Sequence, residues 1–179
     1  MSYDLKVSFS RWPRDAVGVW RDALARMGVD AEFHPDFEPQ HDDNWCPVAL
    51  GFDDASALPL EEKVRRLKGA RVETGFEFYP SETGALFSSK SSEGTLAAFV
   101  CACALAAATE GTITDPQNGT SAHGGEGLEV LSAFFAEGAV LEGPHKLVRF
   151  TGWDEDDEEL TADADADDEE DDDDLEPEL

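Results

Sequence analysis

Positive charge is what this chain has least of. Lysine and arginine number 13, 5 of them lysine, against 41 aspartates and glutamates, so the formal net charge is −28. A surface of that sign repels phosphate backbones and anionic headgroups. It argues against nucleic acid and membrane as partners and favours basic proteins or cations. Cysteine is nearly as scarce: Cys46, Cys101 and Cys103 are too few and too oddly spaced for a disulfide framework. No basic run leads into a long apolar segment near the N-terminus, as a secretory signal would require. The longest apolar stretch, 96–108, is short for a bilayer span. Together these absences lead us to expect a cytoplasmic protein. Phosphate-binding signatures are also missing. The glycine-rich stretch 119–127 has neither GxGxxG nor a P-loop lysine, and Glu126 would set negative charge where the anion should sit.

The acidity is uneven. Residues 154–179 hold 18 of the acidic side chains and no basic one, leaving 23 acidic against 13 basic in 1–153, a net of −10. From about Thr151 the composition collapses to Asp, Glu and Ala, which cannot bury enough apolar area to offset chain entropy. The reading is one globular domain over 1–150 followed by a disordered acidic tail over 151–179. The tail serves solubility through charge repulsion, or else it engages a basic partner.

The stretch 91–119 organises the rest. It holds a helix with almost no polar face, and a helix apolar on every side is normally buried on every side. Ser91 or Ser92 can cap its start, Glu93 suits the positive end of its dipole, and Gly111 can adopt the left-handed conformation that stops it. A strand over 112–114 and a turn over 115–119 follow, where Pro116, Asn118 and Gly119 match the conformations a hairpin turn demands.

Around this helix, apolar and polar residues alternate. Leu5, Val7 and Phe9 predict a strand over 4–10, and Val29, Ala31 and Phe33 a short second one. Residues 47–52 read as a third, Val72, Thr74, Phe76 and Phe78 as a fourth with Gly75 marking a bulge, and 84–90 as its antiparallel neighbour. Ala16, Val17, Trp20, Ala23, Leu24 and Met27 recur at helical spacing after Pro13, and Gly28 can close that helix. A brief basic helix over 60–67, an amphipathic helix over 127–137 and a last strand over 146–150 complete the pattern. The fold class is α+β: a mainly antiparallel sheet with helices packed on one face and one central alanine-rich buried helix.

Three groups of residues could carry chemistry. His34, Asp36, His41, Asp42, Asp43 and Cys46 are ligand types suited to zinc, but no two stand at a tight chelating spacing. Cys101 and Cys103, two apart on a helix, point to opposite sides and read as small core residues. His123, in a glycine-rich stretch, lies near Asp115 in sequence, yet no nucleophile comes with a base and an orienting partner. No cofactor is expected. The segment 34–46 reads as an acidic loop whose Phe37 and Trp45 are either pinned to the core or exposed for a partner.

The opening Met1-Ser2-Tyr3-Asp4-Leu5, the alanine-rich helix running into residues 109–119 (TEGTITDPQNG) and the closing amphipathic helix are similar to small bacterial proteins, some of which resemble immunity proteins of polymorphic or contact-dependent toxins. Here Glu110-Gly111 replaces the usual pair of glycines before the strand, and the acidic tail is an addition. The resemblance covers the body, 1–150, and implies no catalytic residues; it implies a binding protein that blocks a partner enzyme. The expectation is therefore a non-enzymatic inhibitor of a basic partner such as a toxin, binding through Asp36, Phe37, Glu38, Asp42, Asp43 and Trp45. Two alternatives stand beside it. One is a metal-dependent or hydrolytic enzyme using 34–46 or the Asp115 and His123 region; the other is an accessory domain whose acidity serves solubility.

Overall fold

Alternation in the sequence becomes a seven-stranded antiparallel sheet of spatial order β2-β3-β4-β5-β1-β6-β7. The computed structural model describes residues 2–42, 44–52, 69 and 71–126. Its strands are β1 (Tyr3–Ser8), β2 (Asp30–Phe33), β3 (Asn44–Gly51), β4 (Arg71–Ser81), β5 (Gly84–Ser89), β6 (Thr112–Asp115) and β7 (Thr120–His123). Two helices, α1 (Ala16–Arg26) and α2 (Ser92–Thr109), and a 3-10 turn at Gly124–Glu126 complete the described residues. Asp43, the segments 60–67, 127–137 and 146–150 and the tail from 151 lie outside them, as does the domain boundary expected near 150.

The register explains which side chains face inward. Leu5 pairs with Phe87 and Val7 with both Ala85 and Ile113, while Phe78 pairs with Phe87 and Cys46 with Phe76. All of these side chains are buried, so one face of the sheet is a continuous apolar surface. Strand β4 runs on through Pro80, which pairs with Ala85 beyond the end of β3, where its missing N–H leaves no ladder bond unmade. Gly75 marks no bulge: the β3–β4 register passes through its pairing with Pro47 without a break.

Both helices cover that apolar face. The Trp20 ring of α1 packs against Phe33, Phe78 and Phe87 at 4.9, 5.7 and 5.9 Å between centroids, and Phe99 of α2 packs against Tyr3 at 5.2 Å. The helices are also tied to each other, because the indole N–H of Trp20 donates to the carbonyl oxygen of Cys101 across 2.7 Å. Every residue from Leu96 to Ala106 in α2 is buried. Being apolar all round, this helix is held between the sheet, α1 and the turn at Gly124–Glu126. It is long and apolar enough, by length and composition, to cross a membrane, so the shortness expected from 96–108 gives way to burial as the reason it belongs to a core.

Caps end the helices, with two departures from the sequence reading. Asp15 caps α1, its side chain accepting from Gly18 N–H at 2.9 Å, so the helix starts at Ala16, beyond the expected Pro13. Ser91 caps α2, accepting from Gly94 N–H at 3.0 Å. At the other end of α2 the left-handed residue is Glu110, at φ 51°, and not Gly111. Gly111 is needed for closeness: a Cβ there would stand 2.6 Å from the Ser8 carbonyl oxygen and 3.1 Å from the Phe9 Cβ. The strain of a left-handed backbone therefore falls on a residue with a side chain.

Candidate functional site

The connection from β2 to β3 is an acidic loop folded by its own backbone. Phe37 N–H donates to the His34 carbonyl at 3.0 Å, and the His41 and Asp42 N–H groups both donate to the Glu38 carbonyl at 2.8 and 2.9 Å. Asp42 then closes the turn, its carboxylate accepting from Glu38 N–H at 2.6 Å. Asp36, Glu38 and Asp42 are exposed on this loop. Phe37 is not a surface anchor: it is buried, stacked on Phe33 at 5.6 Å and edge-on to Phe78 at 5.9 Å. Burial among these rings takes most of its apolar surface out of water.

Trp45 and Cys46 lie in β3 and not in a loop, and successive strand residues face opposite sides. Cys46 is buried in the core, whereas Trp45 is 62% exposed on the face of the sheet away from the helices. The thiol of Cys46 therefore lies on the buried face of the sheet, opposite to the indole of Trp45. Burial, with the Asp42 charge adding to it, pushes that thiol up beyond its ordinary range. Cys101 is raised by burial first and by the neighbouring thiols second, and burial takes Cys103 up to about 12. None of the three cysteines is in a disulfide, and thiols held so firmly protonated are poor nucleophiles and poor metal ligands at neutral pH. Among the described residues no three His, Cys, Asp or Glu side chains converge on a point where a metal could sit.

Nor do Asp115 and His123 form a dyad. His123 is exposed in β7, paired with Thr112, whose hydroxyl lies 3.3 Å from His123 Nδ1. Asp115 is buried and organises the hairpin turn instead. Its carboxylate accepts from the Tyr3 hydroxyl, from the N–H groups of Gln117 and Asn118 at 3.0 and 3.1 Å, and from Asn118 Nδ2 at 2.9 Å. A carboxylate with that many donors is a structural anchor of the turn.

The outer face of the sheet has a different character. Trp45, Tyr79 and Leu86, exposed by 62%, 39% and 38%, are the large apolar side chains open to solvent among the described residues, and all three stand on this face. Cross-strand register sets them around one glutamate: Trp45 pairs with Glu77, Glu77 with Ser88, and Tyr79 with Leu86. Glu77 is bridged by Lys90 Nζ at 3.2 Å and accepts from the Tyr79 hydroxyl at 3.3 Å. Further along, Arg71 bridges Glu32 at 2.5 Å. Between Trp45 and the start of α2 a small pocket of ≈ 150 Å³ opens, floored by Gly75.

Of the expected contact residues, then, Asp36, Glu38 and Asp42 share the loop, Trp45 stands on the outer face, Phe37 is in the core and Asp43 lies outside the described residues. Glu77, Tyr79 and Leu86 were not singled out from the sequence, although a signal for them exists. Tyr79 follows the inward Phe78 and Leu86 precedes the inward Phe87, so strand parity alone places both on the opposite face. Comparison of the chain with protein-family models, with curated proteins and with solved structures finds no match.

Proposed function

We propose that this chain is a non-enzymatic, cytoplasmic protein-binding module of the immunity or inhibitor type, which neutralises a basic protein partner such as a toxin. The observation that carries this reading is the gathering of Trp45, Tyr79 and Leu86 on one sheet face around Glu77. Apolar and aromatic side chains clustered in the open mark interaction surfaces, and tryptophan and tyrosine supply a large share of contact energy where they occur. The charge complements a basic partner. A net charge of −28, with exposed Asp36, Glu38 and Asp42 on the loop that leads into β3, accelerates encounter with a cationic protein and sets its orientation. Buried cysteines outside any disulfide suit a reducing compartment.

The test is affinity capture from the native lysate with three baits: the full chain, a chain ending at Trp153, and the full chain carrying Trp45→Ala. One basic protein held by the first two and lost from the third is the expected result. Equal retention by the Trp45→Ala bait overturns the role of this face, and retention by the full chain alone moves the function to the tail.

A further inference from the structure

The pocket beside Trp45 has a chemistry of its own, and it narrows the kind of contact the outer face makes. Its volume of ≈ 150 Å³ falls below that of sites for small molecules and cofactors, and is the scale of one inserted side chain. Its lining includes the Trp45 ring, which is largely open to solvent. Glu77 lines it as well, together with Ser89, Lys90 and Ser91 just before α2.

Two polar groups in this pocket are held loosely or not at all. Ser88, only 6% exposed, sits on the outer face opposite Glu77 and lines the pocket, and its hydroxyl has no hydrogen-bond partner among the described residues. Glu77 accepts from the Tyr79 hydroxyl and is bridged by Lys90, but the Lys90 side chain is 72% exposed, so its ammonium is largely in water and readily exchanged.

We propose that this pocket takes the guanidinium of an arginine from the partner, stacked on Trp45, paired with Glu77 and donating to the Ser88 hydroxyl. The inference rests on the binding-module reading of the same face. Arginine is favoured over lysine for three reasons. Its planar cation stacks on an indole, its fork matches a carboxylate, and it is less strongly hydrated than an ammonium and so enters a confined site more easily. Lys90 serves as the occupant's stand-in: it neutralises Glu77 in the free protein, and the arriving guanidinium releases it to water. The carboxylate is thus never left unpaired in the pocket, in either state.

Two synthetic peptides of equal length and charge, one carrying arginines and the other lysines, test this by titration against the full chain and its Trp45→Ala, Glu77→Gln and Lys90→Ala variants. The acidic tail is the same in every variant, so its own affinity for cations cancels in the comparison. The expected result is a preference for the arginine peptide of roughly threefold to tenfold. It should vanish in Trp45→Ala and Glu77→Gln and grow in Lys90→Ala. Equal affinities for the two peptides, both weakened by Trp45→Ala, would overturn the arginine pocket and leave the face as a binding surface. A preference that survives unchanged in Trp45→Ala and Glu77→Gln would also overturn it. Affinities for both peptides indifferent to Trp45→Ala would remove the face itself, and with it the proposed function.

Discussion

The indole of Trp45 lies so closely over Gly75 that a Cβ built on the glycine would stand 2.4 Å from Trp45 Cζ2 and 2.9 Å from the Cys46 carbonyl oxygen. The second contact is with backbone, so rotating the indole away relieves only half of the clash. Gly75→Ala is expected to lower stability by about 1–3 kcal/mol, the usual cost of overpacking, and to displace the Trp45 ring. Denaturant unfolding followed by tryptophan fluorescence checks both; an unchanged midpoint would show that β3 and β4 separate at no cost.

At the end of α2, Glu110 holds a left-handed backbone at φ 51° with an exposed side chain. Glycine tolerates that conformation without the Cβ penalty, so Glu110→Gly is expected to raise stability by roughly 0.5–1 kcal/mol. A rise in the thermal midpoint with no change in the circular dichroism spectrum is the outcome to look for.

The hydrogen bond from Trp20 to Cys101 joins the two helices where neither faces water. Trp20→Phe removes the donor and part of the ring volume together, and is expected to cost about 2–4 kcal/mol. Equilibrium unfolding in urea measures it, and a loss below 0.5 kcal/mol, small beside a typical buried hydrogen bond, would mean that packing alone aligns α1 with α2.

Much of this architecture is legible in the residues themselves. Leu5, Val7 and Phe9, and again Phe76 and Phe78, alternate as a half-buried sheet must, and the featureless apolar circumference of α2 announces its burial. What escaped depends on contacts between distant segments. Gly111 was the natural choice for the left-handed stop, and only the approach of Ser8 and Phe9 shows why it serves elsewhere. Pro35, Pro39 and several acids around Phe37 give 34–46 the pattern of a loop. The core claimed Phe37, and the pairing of Trp45 with Glu77 brought in residues more than thirty positions away in the chain.

The buried thiols make a further expectation, on pH. Burial raises the pKa of Cys46, Cys101 and Cys103 in the folded chain, whereas an unfolded cysteine ionises near 8.5. Above that value the native state keeps protons that the unfolded state releases, so stability is full below about pH 8.5 and falls as pH climbs past it. Denaturant midpoints between about pH 8 and 10 should decline, and replacing all three cysteines with alanine should flatten the decline. A flat profile in the parent chain would contradict the burial of these thiols.

Strand β1 sits inside the sheet, between β5 and β6, and takes Ser89, Phe87 and Ile113 as cross-strand neighbours of Tyr3, Leu5 and Val7. During synthesis its two hydrogen-bonding edges stay open until residues 84–89 and then 112–115 have left the ribosome. The apolar α2 emerges between those two partners, with no polar side to shelter it in water. Closure of the sheet over β1 and burial of α2 are thus one event in time. A chain stalled between β5 and β6 would present its stickiest helix and a half-paired strand together, to whatever chaperone or neighbouring chain is at hand.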